Sequence, residues 1–133
     1  MPRLSGYLLT ALCAVLVPLV AQAAPGLSVS LKNYYTDYEI VVECSSTAHL
    51  TAQDAEAAKS AIAKIEAHYL NRDPSINKEH LLKEAVSNKN AAFKMVKGQN
   101  QIEAGRFCKA SLNDLVGKLR ELDPASATGK NGS

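Results

Sequence analysis

From Asn33 to Leu122 apolar residues recur every three or four positions with polar residues between them, the period of helices that bury one face. The clearest run is Cys108, Leu112, Leu115, Leu119 and Leu122, stepping by four, three, four and three, which predicts a bundle helix over about Gln99 to Leu122. Asp123-Pro124 stops it. A second helix is predicted from about Ala52 to Leu70, because Thr51 and Asp54 are spaced as a capping box and Ile62, Ile65 and Tyr69 follow at helical steps. Ala55, Ala58 and Ala61 are small enough to let a neighbour approach closely, and Asn71 to Pro74 ends the element. A third element spans Ile76 to Val96 with Leu82, Val86, Phe93 and Val96 along one stripe. Ser87-Asn88-Lys89-Asn90 interrupts that stripe and predicts a kink or break, and Gly98 is expected to end the element as a left-handed cap.

The first segment is harder to read. Tyr34, Tyr38, Val41 and Val42 recur at helical spacing over Asn33 to Cys44, although Ile40-Val41-Val42 is β-branched and also suits a strand. With three helical segments downstream and no sheet to join, helix is the better reading. Ahead of it, Leu27, Val29 and Leu31 alternate with Ser28 and Ser30, which suits a short strand or an extended lead-in. The expected architecture is all-α: a small antiparallel bundle of three to four helices in a single domain over 24–122, with one long-range disulfide.

That disulfide is argued from the N-terminus. Arg3 precedes an almost unbroken apolar stretch of thirteen residues, Leu8 to Val20, and Ala21-Gln22-Ala23 then gives the small-x-small pattern of a signal cleavage site. The stretch falls short of the roughly twenty residues a membrane-crossing helix needs. Residues 1–23 are therefore read as a cleaved signal peptide, and the Gly- and Ser-containing residues 123–133 as a disordered tail. The remaining 110 residues carry fourteen basic and thirteen acidic side chains and two cysteines, Cys44 and Cys108. In an oxidising compartment these two pair, and closing so long a loop stabilises the fold by roughly 4 kcal/mol.

A composition of 47% hydrophobic and 21% charged residues excludes collagen-like, disulfide-dense and wholly disordered chains. A net charge of +2 is too small for a protein that holds a nucleic-acid backbone by charge. There is no G-x-S-x-G elbow, P-loop, dinucleotide-binding glycine pattern or C-x-x-C spacing. Glu43 and Glu66 would do acid–base work only if burial brought them together, so no enzyme is expected. His49, His68 and His80, with Glu43, Glu84 and Met95 as companions, are the metal candidates, but their spacing forms no ligand motif, and no metal or cofactor is expected. Met95 is read as a partly buried packing residue. Gly105 and Gly117 are read as helix-packing sites, Gly105 admitting a helix close to the disulfide.

Charge is unevenly spread. Between Asn33 and Glu56 lie five acidic residues and no basic one, whereas Lys78 to Arg120 holds nine basic residues against four acidic. Either the two halves face each other, or Lys89, Lys94, Lys97, Arg106 and Lys109 build a basic face that meets an acidic partner. Tyr34 and Tyr38 are expected to face the core, leaving Tyr35 outward as an interface anchor. The functional expectation is a periplasmic or secreted, soluble, non-enzymatic protein whose helical surface binds a protein partner, as a chaperone or as an inhibitor or immunity protein. The alternative is a periplasmic carrier of a small ligand or metal. No nucleic-acid partner and no stable membrane anchor are expected, and the oligomeric state is left open.

Overall fold

The computed structural model describes residues 25–125, which form four helices: α1 (Pro25–Ser46), α2 (Ala52–Arg72), α3 (Lys78–Val96) and α4 (Gln101–Leu122). The proposed signal peptide lies outside the described residues, as does most of the proposed tail. No strand occurs among the described residues, and no helix there is long and apolar enough to cross a membrane.

α1 is the central element and packs against α2, α3 and α4. Its buried residues Leu31, Tyr35, Ile40, Val41 and Cys44 therefore fall on several faces instead of one stripe. The expected strand or extended lead-in is helical. Leu27 and Leu31, one turn apart, carry the core contacts on into Tyr35, while Val29 between them is exposed. The alternation seen in the sequence is the accident of a helix with serines on either side of an outward valine. α2 packs on α1 and α4, and its Ala58, Ala61 and Ile65 are fully buried, so the small side chains do bring a neighbour close. α3 packs mainly on α1, reaches α2 through the Lys78–Glu66 pair at its start, and meets α4 only sparingly. α2 and α3 thus occupy different flanks of α1.

Helix ends follow local chemistry. Thr51 accepts from the Asp54 N–H at 3.1 Å while Asp54 accepts from the Thr51 N–H at 2.9 Å, completing the capping box. Asn77 and Asn100 cap α3 and α4 by accepting from His80 N–H and Glu103 N–H. α3 is continuous through Ser87 to Asn90, without the expected break. Those residues are only a few tenths of a kcal/mol poorer helix formers than alanine. Packing on both sides of them, from Leu81 and Ala85 before and Ala92 and Phe93 after, outweighs that deficit. Gly98 is not a left-handed cap either; α3 ends on Lys97, whose N–H reaches Phe93 O. The left-handed residue is Ala48, with φ 68°, in the loop between α1 and α2.

The Cys44–Cys108 disulfide is present, with Cα atoms 5.9 Å apart, and joins the end of α1 to the early part of α4. Gly105 does not admit a helix beside it: a Cβ there, or at Gly117, would meet nothing within 4 Å.

Candidate interaction surface

One end of the bundle gathers the last turn of α3, the first turns of α4 and the loop between α1 and α2. Four of the expected partner-binding residues are exposed on its two helices: Lys94 and Lys97, one turn apart at the end of α3, and Arg106 and Lys109 on α4. Lys94, Lys97 and Lys109 have no ion-pair partner among the described residues, whereas Arg106 pairs with Glu103 at 3.0 Å. Lys89 is different: it pairs with Glu43 across the α1–α3 contact at 3.0 Å and is mostly covered. Its charge is spent inside the fold, which removes it from the outward basic face. Lys32–Glu84 makes a second such crossing at 3.7 Å, so part of the charge asymmetry is used between helices.

Tyr35 faces inward, not outward as expected. It is 2% exposed and donates to Glu66 at 2.7 Å, while Tyr34 and Tyr38 lie half-buried at the edge of the core. The i, i+4 step from Leu31 selects Tyr35 as the inward residue, so it cannot anchor a partner. Burial, aided by the Glu66 hydrogen bond and charge, pushes its phenol well above the ordinary value.

Met95 on α3 and Ile102 on α4 are exposed, with 79% and 68% of their surface open to solvent. Met95 therefore does not pack, contrary to expectation. It lies on the side of the last turn of α3 away from Phe93 and Lys97, which line the space between α3 and α4. A notch of about 280 Å³ lies between α3 and α4. Its floor is the edge-to-face pair Phe93–Phe107, with ring centroids 5.4 Å apart, and Val96, Ala104 and Cys108 complete its walls. Lys97, His49 and Glu43 stand at its rim. The disulfide fixes the α4 wall to α1. The Cys44 carbonyl accepts from the N–H groups of Thr47, His49 and Leu50, which holds the loop carrying His49 in place. A second, shallower concavity on the other side of α4 shares His49 and is lined by Ile102, Arg106 and Lys109. The surface is thus stiff, cationic and apolar at its centre.

A different chemistry occupies the groove of about 420 Å³ between α1 and α4, lined by Asp37, Asp114, Tyr34, Asn33 and Lys118. Burial and the neighbouring Asp114 charge raise the Asp37 carboxyl to about 7, against a smaller opposing effect of Ser111. Lys118 is held above its usual value: burial opposes its charge, but the Glu121 hydrogen bond and nearby Tyr69 and Tyr34 outweigh it. When protonated, the Asp37 carboxyl donates toward Asp114 across the helix contact. The sequence held a faint signal for this, since Asp37 falls between Tyr34 and Tyr38 on a largely buried helix.

Glu43 and Glu66 are not brought together, Glu43 being engaged with Lys89 and Glu66 with Tyr35 and Lys78. No three His, Cys, Asp or Glu side chains among the described residues form a metal-holding group. Comparison of the chain with protein-family models, curated proteins and solved structures returns no match, so the functional argument rests on the geometry above.

Proposed function

We propose that this protein is exported to the periplasm or the cell exterior and acts there without catalysis, by binding an acidic protein partner through the basic end of its bundle. The observation that carries this reading is apolar surface bordered by cations on both sides of α4: Lys97 beside the Phe93–Phe107 notch, and Arg106 and Lys109 beside exposed Ile102. Apolar side chains ringed by charge form a contact that excludes water at its centre and steers association at its rim. An inhibitor or immunity role fits this better than a general chaperone role. The surface is small and covalently stiffened, which favours one defined partner over the broad apolar area that non-native chains require. The disulfide and the apolar N-terminal stretch ending in Ala21-Gln22-Ala23 support export.

The test uses the oxidised protein as bait in an extract of the exported fraction. A partner should be retained at low salt, released at high salt, and lost with the triple variant K94E/K97E/K109E. Reversal of Lys59 and Lys83, exposed cations on α2 and α3, should leave retention unchanged. Equal retention by the triple variant and the wild type would remove the proposal.

A further inference from the structure

We infer that the partner of this end presents an acidic segment carrying one bulky apolar side chain, and that this side chain seats in the notch between α3 and α4. The inference rests on the partner-binding reading and adds the chemistry of the occupant. The notch, at about 280 Å³, lies below the roughly 300–1,000 Å³ of sites that enclose a drug-sized ligand, and suits a single large side chain. Its floor is aromatic. Phe93 and Phe107 meet edge to face and remain only partly buried, so an inserted ring or branched aliphatic group covers ring surface that water now touches. Its position beside the disulfide makes it a preformed pocket, and a preformed pocket binds an anchor without first ordering its own walls.

Charge selects what flanks that anchor. Lys97 stands at the rim, Lys94 lies one turn before it, and Lys109 stands one turn from Arg106 across α4. The acidic groups nearest this end are already engaged, Glu43 with Lys89 and Glu103 with Arg106. The start of α4 points its positive end the same way. A carboxylate beside the anchor therefore meets unpaired Lys97, and one reaching over α4 meets Lys109. An anionic lipid surface would also satisfy the cations and touch Met95 and Ile102, but a flat bilayer face does not fill a concave notch. A protein segment does.

The experiment is a titration of the isotope-labelled, disulfide-intact protein, followed by amide NMR, with two acidic peptides that differ only in a central Phe or Ala. Phosphatidylglycerol vesicles form a third arm. The Phe peptide should bind about tenfold tighter or more, with its largest shifts at Phe93, Val96, Ala104 and Phe107, and should weaken as salt rises. Ala104→Phe, which fills the notch without altering charge, should abolish the Phe preference; Ala104→Leu serves as a smaller filler if the first variant does not fold. K97E/K109E should weaken both peptides alike. Equal affinity for the two peptides, a preference that survives either filler, or tighter binding to vesicles than to peptide would overturn the inference. If charge reversal still abolishes capture of the native partner while the Phe preference is absent, only the anchor falls and the binding surface stands. If no peptide perturbs this end and capture ignores charge reversal, both fall.

Discussion

A single carboxylate ties three helices together at the residue scale. Glu66 on α2 accepts from the Tyr35 hydroxyl on α1 at 2.7 Å and from Lys78 at the start of α3 at 2.8 Å. Removing the hydroxyl with Tyr35→Phe leaves the ring packed and Glu66 still paired, so the expected loss is about 1 kcal/mol. It should appear as a lower urea midpoint with an unchanged slope. A drop of several kcal/mol would mean that the ring itself had moved. Both Tyr34–Tyr38 and Leu31–Tyr35 are i, i+4 pairs, so spacing alone gives two registers of equal merit. What decides between them is that α1 has neighbours on several sides, and the chain's local pattern does not contain that fact. Met95 has the converse history. Its apolar character suggested packing, but Phe93 and Val96 take the inward side of that last turn and leave Met95 outside.

At the scale of the element, caps and breaks were legible where a side chain acts on its own backbone. Thr51 with Asp54 is the clearest case, and Asn77 and Asn100 obey the same rule at the starts of α3 and α4. Predictions that relied on weak propensity fared worse, because a few tenths of a kcal/mol at Ser87 to Asn90 cannot oppose the packing that surrounds them. The glycines of α4 follow the same logic. Gly105 and Gly117 sit inside a helix with open space where a side chain would go, so they carry an entropic cost with no packing return. Gly105→Ala and Gly117→Ala should each stabilise the fold by about 0.5–1 kcal/mol. Thermal unfolding should show the double variant melting several degrees higher. A decrease in either single variant would indicate a contact at that position in a state other than this one.

For the whole molecule, the α1–α4 contact carries both a covalent and a titratable feature. Cutting the disulfide with Cys44→Ser and Cys108→Ser frees a closed loop with a sequence separation of 64, and on the chain-entropy account should cost about 4 kcal/mol. Denaturant unfolding of the double variant measures this, and the amide signals of the notch residues should broaden with it. Asp37 makes stability depend on pH in the direction opposite to an ordinary ion-paired carboxylate. Its folded value of about 7 lies above the ordinary value of 3.8, so the folded state holds a proton that the unfolded state has released between those values. Stability is therefore highest at the acid end of this window and falls as pH rises through about 7. Because the groove is open to water, the expected loss between pH 5 and pH 8 is about 1–2 kcal/mol, less than the full shift implies. Asp37→Asn should flatten the profile and be the more stable protein at pH 8. An unchanged slope in that variant would assign the effect to other groups.

The sequence by itself determined the helical class, the start of α2 and the seam of α4, because each depends on chemistry between residues close in the chain; it reached the pairing of Cys44 with Cys108 only through the reading of residues 1–23, with Cys13, as a cleaved signal. It also named Lys94, Lys97, Arg106 and Lys109 as a basic group. Only the tertiary structure decided that Lys89 turns inward to Glu43, that Tyr35 and not Tyr34 enters the core, that Met95 is left outside, and that the Phe93–Phe107 pair meets Lys97 at one notch. The physical reason is that periodicity fixes which side of a helix is apolar, whereas the number and placement of neighbours fix how much of that side is covered. On a central helix nearly every register finds a partner, and at the end of a peripheral one an apolar side chain is left for another molecule to meet.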